Sequence, residues 1–232
     1  MQDPIAALAF YVVFVFSTTL HEASHAWAAK RGGDLTAYHG GQVSIDPRPH
    51  IRREPFGMVV LPVLSLLLSG WPFGFASAPY DARWARSHPD RAAWMSLAGP
   101  AANLGLILLA ALLIRAGIQL DVLTPPHQVS FAHITASEVS RFWSGVGTLL
   151  GIFFSLNLVL FLLNMLPIPP LDGSGALPLL LTREAGERWR EFANQPMLGW
   201  VGILIAWTIF GEIFLPVFFA AVRLLYPEMN YR

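Results

Sequence analysis

His21, Glu22 and His25 lie in the stretch TTLHEASHAW, whose surroundings are almost wholly apolar. Two histidines four residues apart share one face of a helix, about one turn apart, and can hold a single metal ion. Glu22 stands about 100° round the helix from His21. It is badly placed to ligate the same ion but can reach a water bound to it. The spacing therefore offers two zinc ligands, His21 and His25, and a general base, Glu22. Alternatively, the three polar groups pair with neighbouring helices and hold a bundle together. Ionisable side chains at membrane depth cost at least a few kcal/mol each and usually mark a functional path.

A catalytic zinc site needs a third protein ligand and an open position for water. The chain has no cysteine, so disulfides and thiolate ligands are excluded, and the third ligand is expected from an Asp or Glu in another apolar segment. NMLPIPPLDGSG, residues 164 to 175, supplies Asp172 after three prolines, with Gly173 and Gly175 free to turn the backbone. Asp172 could instead cap a helix that follows it. The other histidines, His39, His50, His88, His127 and His133, read as loop residues, with His39 and His50 kept as remote alternative ligands. Glu212 is a second acid in an apolar segment, suited to a gate, a water path or a hydrogen bond within a bundle.

These residues must be positioned by membrane elements. Of 232 residues, 54% are hydrophobic and 13% charged, with mean hydropathy +0.51, far too apolar for an ordinary soluble domain. Net charge is zero and no basic run is interleaved with aromatics, so nucleic acid is not an expected partner. The first apolar run lacks a basic leader, and a cleaved signal peptide is not expected.

Apolar stretches occupy residues 5–29, 56–70, 92–114, 146–166 and 197–222. About 20 helical residues are needed to cross the hydrocarbon. The 56–70 run is too short and carries Pro62, so it reads as re-entrant. The expected fold is an all-α polytopic membrane protein with about four spanning helices, that re-entrant segment and a small membrane-associated β-hairpin. The hairpin is expected within GDLTAYHGGQVSIDPRPHIRREP, where Gln42, Val43, Ser44 and Ile45 alternate as in a strand. The chain reads as one domain over 1–232, with its core at roughly 5–181 and a C-terminal helix at 197–225.

With 56–70 re-entrant, Lys30, Arg31, Arg48, Arg52, Arg53, Arg83, Arg86, Arg91, Arg183, Arg188 and Arg190 fall on one side, against Arg115, Arg141, Arg223 and Arg232. The excess marks the first side as cytoplasmic and puts the N-terminus outside. The same topology runs the first helix and the 146–166 helix in one direction, which brings Asp172 to the depth of His21 and His25.

HEASH followed by NMLPIPPLDGSG resembles the site-2 protease family of intramembrane zinc metalloproteases. LAGPAANLGL, residues 97 to 106, is similar to the glycine-proline-asparagine motif of that family's core helix. The loops between resemble its compact bacterial branch, which lacks a PDZ domain. The resemblance covers roughly residues 20–181. It implies one zinc per chain bound by His21, His25 and Asp172, with Glu22 as the catalytic base. It also implies that Asn164 positions substrate or the oxyanion; Asn103 is a further candidate, or a helix-helix hydrogen bond.

The activity implied is hydrolysis of peptide bonds within or next to a transmembrane segment. The expected substrate is a single-span protein of a bacterial cytoplasmic membrane, held in extended form along an edge at Gln42 to Ile45. A transporter or channel, or an inactive scaffold with a structural metal site, is the alternative. Oligomeric state is not legible.

Overall fold

A computed structural model describes residues 4–229 and 231. Four helices are long and apolar enough to cross a membrane: α1 (Pro4–Gly32), α6 (Pro89–Gln119), α7 (Arg141–Asn164) and α10 (Pro196–Leu225). Six shorter helices connect them: α2 (Thr36–His39), α3 (Pro47–Arg53), α4 (Leu61–Ser69), α5 (Ala82–Ser87), α8 (Asp172–Ala176) and α9 (Arg183–Ala193). A π-helical turn, Phe56–Val60, leads into α4.

Contacts at the helix ends fix the directions. Arg91 at the start of α6, and Trp84 of α5 just before it, both donate to the Gly32 carbonyl at the end of α1. At the opposite end Arg115 of α6 donates to the Leu225 carbonyl closing α10. So α1 and α7 run one way, and α6 and α10 the other. The core forms where α6, α7 and α10 meet, around Ile107, Ile114, Phe154, Phe218 and Val222. A second cluster joins α1 to α7 through Val13, Phe14, Ile152 and Leu156.

The segment after α3 leaves and returns at one end of the bundle. It descends through Phe56–Val60 and α4, then reverses at Gly70, whose φ of 76° is left-handed. The returning chain climbs beside it. Phe73 N–H donates to Ser65 Oγ at 2.6 Å, and Phe75 N–H donates to the Gly57 carbonyl at 3.1 Å. A Cβ on Gly57 or Gly74 would collide with the opposite arm of this loop. At the top, Ser77 accepts from Gln42, and Asp81 N–H donates to Asp34 just past α1.

The expected β-hairpin is not formed: the described residues contain no strand, and only a single bridge, Thr124 with Ala136. Asp34 takes the Thr36 amide and hydroxyl and starts α2. Asp46 accepts from Arg48 N–H and starts α3, with Pro47 at its first position. An aspartate followed by proline is a helix start. Pro47 and Pro49 also lack the N–H groups that a pairing strand would use. Gln42, Val43, Ser44 and Ile45 lie in the irregular turn between these helices.

Candidate metal centre

Two of the candidate ligands are presented by the second half of α1. His21 and His25, one turn apart, are only 6% and 5% exposed and face α6. The third comes from the turn after α7. Its prolines, with a cis Pro169–Pro170 peptide, break the helix, and the chain re-enters helical conformation at Asp172. The turn packs so tightly on the end of α7 that a Cβ on Gly173 would strike the Met165 and Leu166 carbonyls. Asp172 is the first residue of α8 rather than its cap, and its Oδ2 lies 2.9 Å from His21 Nε2 and 3.2 Å from His25 Nε2. The two Nε2 atoms are 3.0 Å apart. Among the described residues this is the one cluster of histidine and carboxylate groups with metal-binding geometry.

The donor set fits a divalent ion. Four ligands at about 2.0–2.1 Å in a tetrahedron stand roughly 3.3 Å from one another, within a few tenths of the separations here. The other ring nitrogens decide what the inner ones carry. His25 Nδ1 lies 2.7 Å from the Met95 carbonyl, which can only accept, so that nitrogen bears a proton. His21 Nδ1 lies 2.6 Å from Asn103 Oδ1 and donates likewise. With a single proton on each ring, at Nδ1, both Nε2 lone pairs would face one another and the carboxylate. An added proton would join only one pair of the three, whereas a metal ion joins all of them. The backbone carbonyl and the amide are the outer partners that hold metal-bound imidazoles in orientation.

Gly99 makes the room. It sits on α6 midway between Met95 and Asn103, and a Cβ there would collide with Nε2 of both histidines. Access is from one side: the Asp172 side chain is 21% exposed, against 7% for each histidine. Glu22 is buried beside the cluster on α1, and its carboxylate makes no hydrogen bond with a described residue.

The remaining candidates are placed differently. Asn103 is buried and holds His21 rather than facing the open side. Asn164 donates to the Leu160 carbonyl of its own helix. Gln42 donates to Ser77, and Val43, Ser44 and Ile45 form one wall of a groove of about 310 Å³ whose other wall is Leu20, Ala23, Ser24 and Trp27 of α1. His50 is not a surface residue but is buried, donating through Nε2 to the Ser44 carbonyl, and it does not join the metal cluster. His39, His127 and His133 are exposed and His88 half-buried, all apart from that cluster; Glu212 is exposed on α10.

Sequence reasoning missed Gly99, the Met95 carbonyl, Asn157 and Trp189, whose indole donates to the Ser174 carbonyl and braces α8. Gly99 left a signal as the glycine of LAGPAANLGL, and Asn157 as an amide in the middle of an apolar helix.

The sequence pattern of peptidase family M50 matches residues 9–208. The chain is 32% identical over 172 residues to "Putative zinc metalloprotease YwhC" of Bacillus subtilis, covering 73% of this chain and 68% of that protein. It is 34% identical over 182 residues to "Putative zinc metalloprotease Rip2" of Mycolicibacterium smegmatis, covering 75% of this chain and 61% of the relative. The Rip2 protein of Mycobacterium tuberculosis matches at the same identity and coverage. No solved structure matches. With its four apolar helices and a buried histidine-histidine-aspartate centre between them, the chain belongs to peptidase family M50, the site-2 protease family, and is an integral membrane protein without a detected PDZ domain.

Proposed function

We propose that this chain is an intramembrane zinc metalloprotease that hydrolyses peptide bonds within or next to transmembrane segments of membrane proteins, as in regulated intramembrane proteolysis. The observation that carries the reading is the convergence of His21 Nε2, His25 Nε2 and Asp172 Oδ2 between apolar helices, with both Nδ1 protons already donated outward. The zinc metalloprotease names of its relatives support the choice of metal, taken as one ion per chain.

A bound zinc lowers the pKa of its water to about 7 and polarises a carbonyl. Glu22 is the general base: its carboxylate accepts the proton of the attacking water and returns it to the leaving nitrogen. Burial keeps bulk water from competing for that carboxylate. Asp172 faces the open side, so substrate approaches past the 164–175 turn. The groove between α1 and Val43 to Ile45 lies along the same helix and is suited to an unwound stretch of substrate. Asn164 stands at the end of α7, where a turn of its amide would offer a donor to the oxyanion.

The orientation is N-terminus outside. The residue 56–81 segment is re-entrant from the cytoplasmic side, which carries the basic loops and the active-site mouth. The substrate class is a single-span protein of the bacterial cytoplasmic membrane. Zinc analysis of purified protein and of Glu22→Gln, alongside cleavage of a reconstituted single-span substrate, tests the proposal. Glu22→Gln should keep its zinc and lose cleavage. A wild type without zinc, or a fully active Glu22→Gln, overturns it.

A further inference from the structure

One chain of amides crosses three helices behind the metal centre. It begins at the Phe153 backbone carbonyl, which can only accept. Asn157 Nδ2 lies 2.8 Å from it and 3.0 Å from Ser17 Oγ, so the amino group of Asn157 points that way. Its Oδ1 is thereby turned toward Asn103, whose Nδ2 donates to it at 2.9 Å. Asn103 must then show Oδ1, not Nδ2, to His21, at 2.6 Å. An oxygen facing Nδ1 requires the His21 proton to be there, which leaves Nε2 as a bare lone pair. Ser17, Asn103 and Asn157 are all fully buried, so no solvent competes for these groups.

We propose that Asn157 is a positioning residue for the metal centre: by fixing the direction of the Asn103 amide, it fixes the His21 tautomer that can bind metal. This rests on the metal-centre reading above. Asn103 alone cannot do it, because an amide freed of Asn157 can rotate by 180° and present its amino group to His21. The ring then moves its proton to Nε2, which faces the centre and ceases to be a ligand. Outer partners of metal-binding histidines are worth ten- to a hundredfold in affinity; a residue one step further out should be worth about tenfold.

The test compares zinc dissociation constants, measured by chelator competition in detergent, for wild type, Asn157→Leu, and Asn157→Leu combined with Asn103→Asp. Asn157→Leu should weaken zinc binding about tenfold. Adding Asn103→Asp should restore most of it, because a carboxylate presents an oxygen to His21 whichever way it turns. A packing defect would not be relieved by burying an aspartate. Unchanged affinity in Asn157→Leu, or no recovery in the double variant, overturns the relay. A wild type that binds no zinc instead overturns the metal-centre reading itself. Nitrogen NMR of labelled histidine in the zinc-free wild type needs no variant. The neutral His21 ring should carry its proton on Nδ1 before any metal arrives, and a neutral ring protonated on Nε2 instead overturns the proposal.

Discussion

Gly99→Ala is the smallest change that should empty the metal centre. The added Cβ would collide with Nε2 of both His21 and His25 and lie 2.6 Å from His21 Cδ2. To regain van der Waals contact each imidazole must retreat by about 1 Å. A metal site tolerates about 0.2 Å in its ligand distances, so the displacement is roughly fivefold too large. Neither ring can retreat freely, because Met95 and Asn103 hold the far nitrogens at 2.7 Å and 2.6 Å. Zinc affinity should fall at least 100-fold, more than the loss of an outer partner brings, and cleavage with it.

Folding should be weakened but not lost. Alanine gains about 0.8–1.0 kcal/mol over glycine in a helix, while Pro100 disfavours helical backbone at a preceding residue with a Cβ. The two offset, which leaves the overpacking of the imidazoles, about 1–3 kcal/mol, as the destabilisation the zinc-free variant should show. The assay is metal content after chelator dialysis, read beside thermal unfolding in detergent. Gly105→Ala is the control: nothing lies within 4 Å of a Cβ there, and zinc should be retained. Wild-type zinc content and cleavage in Gly99→Ala would refute the placement of both imidazoles.

Two further outcomes follow from hydrogen bonds around the site. Trp189→Phe removes the donor to the Ser174 carbonyl, two residues from Asp172; loss of about 1 kcal/mol of bracing should weaken zinc binding about fivefold, and an unchanged dissociation constant would dismiss α9 as a brace. Burial pushes the Asp34 carboxyl up, but the Thr36 hydroxyl and amide and the Asp81 amide outweigh it and hold it below the usual carboxylate range. Its contribution to stability is therefore complete above about pH 4 and is lost as pH falls through the lowered folded value. Asp34→Asn should destabilise the neutral protein by about 1–3 kcal/mol and flatten the acid limb of thermal unfolding; parallel limbs in the two proteins would refute that role.

The convergence of His21, His25 and Asp172 was legible because each sits in a pattern that local geometry enforces. His21 and His25 need only a helix to share a face, and Asp172 needs only the break that three prolines impose. The four long apolar helices were legible from length, and the reversal of 56–70 at one end of the bundle from its shortness and Pro62. What surrounds the ligands was not legible. Whether Met95 or Trp94 meets His25 depends on how far α6 is rotated and shifted against α1, which no single helix encodes. The hairpin fails for a different reason. Five alternating residues, Gln42 to Asp46, weigh less than an aspartate-proline start and two missing N–H groups, signals that stand in the same stretch of sequence.

The shift of α6 against α1 also explains LAGPAANLGL. Met95, Gly99 and Asn103 are spaced by four and form one stripe of α6, as His21 and His25 form one stripe of α1. The helices are antiparallel, so His25 meets Met95 and His21 meets Asn103, with Gly99 between the two pairs where the imidazoles converge. Two helices of equal period stay in phase over this single repeat. Met95 contributes a carbonyl, Gly99 a space and Asn103 an amide. Adding one residue to α6 between Met95 and Asn103 would turn half the stripe by about 100°. One histidine would lose its outer acceptor and the other the space beside it. The motif thus forms the wall behind the His21, His25 and Asp172 cluster, and its asparagine contacts His21 from behind. The open side is left to Asp172 and the turn that begins at Asn164.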